Sequence, residues 1–74
     1  MTFEICAFDK STEDFRFSIT VPSEYVKKLR KIMNWTKPED ELFGYDLNEE
    51  QIAQLEEMLD RRFYVPECDF QISS

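Results

Sequence analysis

Residues 15–21 read Phe-Arg-Phe-Ser-Ile-Thr-Val. In an extended chain, Phe15, Phe17, Ile19 and Val21 fall on one side and Arg16, Ser18 and Thr20 on the other. Such period-two alternation of β-formers marks a half-buried strand, whose apolar side something else in the chain must cover. Residues 2–8 repeat the pattern, with Phe3, Ile5 and Ala7 opposed to Glu4 and Cys6. Between the two runs lies Asp-Lys-Ser-Thr-Glu-Asp, a polar turn cluster, so the N-terminal part of the chain predicts a β-hairpin.

After Pro22 and Ser23 the period changes. Tyr25, Val26, Leu29, Ile32 and Met33 recur at helical spacing, while Lys27, Lys28, Arg30 and Lys31 fill the opposite side. This helix fades near Asn34–Trp35, and Pro38 blocks its continuation. Residues 36–47 read as a loop in which Gly44 supplies a turn. Asn48 and Gln51 form a capping box that opens a second helix, with Glu49 and Glu50 in its first turn, where the helix dipole favours negative charge. Ile52, Leu55, Met58 and Leu59 form its buried stripe. Arg61 and Arg62 close it, and Glu57 is spaced to pair with Arg61. Beyond Pro66, Cys68, Phe70 and Ile72 alternate with Asp69, Gln71 and Ser73 as a third strand.

The order β-β-α-α-β predicts an α+β fold: a small antiparallel or mixed three-stranded sheet with two helices packed on one face. The other face would carry Glu4, Cys6, Phe8, Arg16, Ser18, Asp69 and Gln71. Residues 1–74 make a single domain with a thin core, since a chain this short buries only about 60% of its unfolded surface.

Charge is sorted along the chain. Between Pro38 and Arg61 stand Glu39, Asp40, Glu41, Asp46, Glu49, Glu50, Glu56, Glu57 and Asp60, with no lysine or arginine among them. The net charge is −7. Such a surface repels phosphate, so direct nucleic-acid binding is excluded and a cationic protein partner is favoured. The basic helix face around Lys27–Lys31 reads as a solvated surface available to nearby carboxylates.

Enzyme chemistry finds little footing. The chain has no histidine and a single glycine, which removes imidazole bases and glycine-rich phosphate loops, and its serines lack a nucleophile-elbow context. Carboxylates on an exposed helix all ionise and make poor acid–base pairs. Cys6 and Cys68 form no C-x-x-C pair and, without histidine, offer too few ligands for zinc; they read as small hydrophobes in a reducing cytosol. No apolar run serves as a secretion signal or membrane span, so the expected location is cytoplasmic and no membrane partner is expected. A calcium loop starting at Glu39 would place Glu41, Gly44 and Glu50 at EF-hand positions, but Phe43 takes a ligand position and Asp46 an apolar one. The chain is therefore expected to be no enzyme and to carry no cofactor.

Trp35, Phe43 and Tyr45 flank or lie within the acidic loop. Rings set among carboxylates suit a protein interface, the rings as buried anchors and the carboxylates as steering charges. The expected contact residues are Glu39, Asp40, Glu41, Asp46, Glu49 and Glu50 for charge, with Trp35, Phe43 and Tyr45 as anchors. Glu13 and Asp14 at the hairpin form a second patch.

Residues 8–15, Phe-Asp-Lys-Ser-Thr-Glu-Asp-Phe, resemble the first hairpin of the cloacin-type immunity proteins, small acidic inhibitors of ribonuclease bacteriocins. Together with Tyr-Asp-Leu-Asn-Glu-Glu-Gln at 45–51 and a C-terminal strand, the hairpin is similar to that of short bacterial proteins encoded beside secreted or contact-dependent toxins. The resemblance implies an immunity protein that binds and neutralises a cognate basic toxin domain, often a nuclease; a single copy in the complex is expected ahead of a homodimer. The alternatives are a small acidic adaptor or regulatory module, pairing through a sheet edge as a homodimer, and a calcium-binding domain.

Overall fold

The computed structural model describes residues 2–74. The expected hairpin forms from Phe3–Asp9 (β1) and Phe15–Val21 (β2), paired antiparallel. Val26–Met33 (α1) follows a 3-10 turn at Ser23–Tyr25. A second 3-10 turn, Pro38–Leu42, leads into Tyr45–Asp46 (β3), then Glu49–Leu59 (α2) and Cys68–Ser73 (β4).

The fold is α+β, and its sheet is fully antiparallel with the order β2-β1-β4-β3. The fourth strand corrects the expected count of three. β3 is only two residues long, too short for period-two alternation to be seen, and it exists because Tyr45 and Asp46 pair with Ile72 and Gln71. Gly44 does not make the expected turn, since its φ is not positive; it runs beside Ser73 into β3.

Both helices cover one sheet face. Phe3, Ile5 and Ala7 from β1, Ile19 and Val21 from β2, and Cys68, Phe70 and Ile72 from β4 bury against Leu29, Met33, Ile52 and Leu55. Each large side chain fully buried here contributes roughly 1.5–3 kcal/mol relative to exposure. Phe63, in the segment between α2 and β4, closes the core beside Phe70, with ring centroids 5.6 Å apart.

Phe15 does not join that face. The register shifts between Ala7 and Phe8: Ala7 pairs with Phe17, but Phe8 pairs with Phe15, leaving Arg16 as the extra residue. A bulge of this kind reverses the side on which the next residue falls. Phe15 therefore lies against Phe8 on the uncovered face, edge to ring at 6.0 Å, and is 59% exposed. Cys6 pairs with Gln71 on that same open face, whereas Cys68 is buried in the core; both thiols are free. Burial, and secondarily the charge of Glu4, pushes the Cys6 thiol above its ordinary pKa.

Both helices end in the same way. Asn34 (φ 59°) and Asp60 (φ 51°) take the left-handed conformation, and the next residue's N–H donates back to Arg30 O or Glu56 O. Asparagine and aspartate occupy the site usually given to glycine, which this chain uses once. Because α2 stops at Leu59, Arg61 has left the helix, and the expected Glu57–Arg61 ion pair is absent. The ion pairs among the described residues are Arg16–Asp9 and Arg30–Glu41. No helix among them is long and apolar enough to cross a membrane.

Candidate functional site

The acidic loop runs along the outer edge of the sheet. Gly44 lies beside Ser73 at one end of β4, Asp46 pairs with Gln71, and the Leu47 N–H donates to Phe70 O at 2.9 Å. α2 opens from there, its Asn48 side chain accepting from the Gln51 N–H at 2.8 Å while the Gln51 side chain accepts from the Asn48 N–H at 3.0 Å. The loop therefore follows the β3 edge and continues directly into the first turn of α2.

From Glu39 to Glu50 the carboxylates fall into three groups. Asp40 is structural: its Oδ2 accepts from the Thr36 and Lys37 N–H groups at 3.0 and 3.1 Å, capping the 3-10 turn. Glu41 is neutralised. Arg30 Nε donates to its Oε2 at 2.9 Å and the guanidinium NH2 donates to Oε1 at 3.3 Å, and the Glu41 side chain is only 13% exposed. Glu39, Asp46, Glu49 and Glu50 are exposed, and among the described residues none of them makes an ion pair.

The aromatic trio divides in the same way. Trp35 packs on Phe3 at 5.4 Å and on Tyr45 at 5.6 Å. The Tyr45 hydroxyl donates to Asp40 O at 2.7 Å. These two rings extend the core beneath the loop, and the buried Trp35 Nε1–H has no partner among the described residues. Only Phe43 stands out, at 61% exposed, and Leu42 beside it is 64% exposed. Leu42 was not singled out by sequence, although a leucine between Glu41 and Phe43, outside any periodic stripe, is the signal that could have marked it. Of the three expected anchors, Phe43 is exposed, whereas Trp35 and Tyr45 are half-buried where they help to fill a thin core.

Glu13 and Asp14 are exposed at the hairpin, which sits at the Asp9–Cys68 end of β1 and β4. Phe43 lies near the Ser73 end and at the opposite edge, so the fold does not bring the hairpin acids together with the loop. The hairpin is held by Asp9, whose Oδ1 accepts from the Ser11 and Thr12 N–H groups at 2.8 and 3.1 Å and whose Oδ2 accepts from Arg16 at 3.0 Å. Those backbone donors, with Arg16 as a lesser cause, hold the Asp9 carboxyl below the usual range. Glu56 anchors the chain after α2 in a similar way. Its Oε2 accepts from the Phe63 N–H at 2.7 Å and the Tyr64 N–H at 3.0 Å, which lowers its pKa.

Among the described residues, no three acidic or thiol side chains converge in a way that could hold a metal ion. No curated protein matches this chain. The model of the family described as "Domain of unknown function (DUF7683)" matches residues 2–73, nearly the whole length, and the chain belongs to that family.

Proposed function

We propose that this protein docks a basic partner domain along the β3 edge, and that the partner is a toxin domain which it neutralises as an immunity protein. The observation that carries the reading is the exposure of Leu42 and Phe43 between the unpaired carboxylates Glu39, Asp46, Glu49 and Glu50. Exposed apolar anchors rimmed by charges of one sign combine desolvation energy at the centre of a contact with steering at its border. A nuclease domain, basic because it grips phosphates, is the natural complement. The immunity role itself rests on the resemblance of residues 8–15 and 45–51.

Co-expression tests the reading. The C-terminal domain encoded directly upstream of this chain should arrest growth when expressed alone, and this chain should restore growth. A folded Phe43→Asp, Glu49→Lys variant should fail to do so. Failure of the wild-type chain to protect, or full protection by the variant, contradicts the proposal.

A further inference from the structure

We propose that two copies of this protein pair antiparallel along β2, joining their sheets across a two-fold axis near Ser18. β2 is an outer strand of the sheet, and among the described residues no backbone group bonds to its free side. An exposed row of N–H and C=O groups is a template for another strand, and proteins usually guard it with lysine, proline or a very short length. β2 is seven residues long and has none of these; a charged residue, Arg16, and a bulge, which also blunt an edge, are confined to its start. Ser18 and Thr20, which point to the open sheet face, are short and uncharged.

Charge decides that the occupant is a second copy. In a chain of net charge −7, Phe15–Ser23 contains no carboxylate, and its one cation, Arg16, is held by Asp9. The unpaired acids of the loop lie at the far edge, beyond β1 and β4. β2 is thus a carboxylate-free stretch, bounded by Asp14 and Glu24, along which two like-charged molecules can meet. Antiparallel pairing about Ser18, over the regular part of the strand, sets Phe17 opposite the second copy's Ile19. Phe17, the inner-face ring of β2 that the helices leave half-buried, gains an apolar cross-strand neighbour. Both β3 edges remain open at the ends of the joined sheet, so each copy keeps its own docking strip.

A strand-edge contact is small, so association is expected between about 1 and 100 µM. Sedimentation of the full chain from about 1 to 500 µM should show the mass rising from 8.9 kDa toward twice that value. Ser18→Lys sets two lysines opposite each other at the axis and should hold the protein at single-chain mass throughout. Independently of any variant, amide exchange in β2 should slow as concentration rises, while exchange in β3 should not change. A single-chain mass at every concentration, a dimer that survives Ser18→Lys, or β2 exchange independent of concentration overturns the proposal.

Discussion

Arg30 on α1 grips Glu41 in the Pro38–Leu42 turn through two hydrogen bonds, of 2.9 and 3.3 Å. This fork ties the loop to the helix layer at the point where Leu42 and Phe43 leave the surface. A bidentate guanidinium–carboxylate pair is stronger than a single contact, but Arg30 is 47% exposed and solvent screens the pair. A double-mutant cycle with Arg30→Ala and Glu41→Gln should give a coupling of about 0.5–1.5 kcal/mol in chemical denaturation. Arg30→Lys should recover less than half of it, because an ammonium cannot present the planar fork. Zero coupling would mean that the loop is held by its other contacts, the Asp40 cap, the Trp35 and Tyr45 rings and the β3–β4 pairing, without help from this fork.

Asp9 and Glu56 both sit below their ordinary pKa because backbone N–H groups donate to them. A carboxylate with a depressed folded-state pKa contributes stability that is present above the unfolded value and lost as pH falls through the folded one. The denaturation midpoint should therefore be flat near neutrality and fall below about pH 4.5. Glu56→Gln should flatten part of that acid slope, and Glu56→Ala should cost about 1–2 kcal/mol at pH 7 by releasing the Phe63 and Tyr64 amides. An unchanged acid slope in Glu56→Gln would show that the two hydrogen bonds carry no charge-dependent stability.

Asp60 takes a left-handed conformation at the C-terminal end of α2, where its negative charge also opposes the helix dipole. Glycine relieves both. Asp60→Gly should raise stability by about 0.5–1 kcal/mol, read from the thermal or denaturant midpoint. A loss would point to a contact of the Asp60 side chain that outweighs the backbone relief.

The parts of the fold that repeat a period over several residues were legible in the sequence: β1, β2, α1, α2, β4, and the Asn48–Gln51 cap. β3 was not, because two residues carry no period and its existence depends on β4, far along the chain. The bulge at Arg16 was hidden for a related reason, since Phe15 continues the alternation on paper and only the pairing with Phe8 shows the reversal. The acidic loop was visible as charge, but its internal division was not. Whether Glu41 is free depends on where α1 places Arg30, and whether Trp35 is an anchor or core depends on Phe3 at the other end of the chain. The proposed docking set is the exposed part of that loop, Leu42 and Phe43 with Glu39, Asp46, Glu49 and Glu50.

The most direct test of that set is the association rate with the proposed toxin partner, once the co-expression experiment has identified it, measured by stopped flow across a salt series. Steering by the acidic strip predicts a rate on the order of 10⁸ M⁻¹s⁻¹ at low salt that falls steeply as salt rises. Glu39→Lys with Asp46→Lys should slow association at least about 10-fold with little change in dissociation, and Phe43→Ala should act mainly on dissociation. A rate insensitive to salt and unchanged by the double reversal would contradict the assignment of the β3 edge as the docking surface.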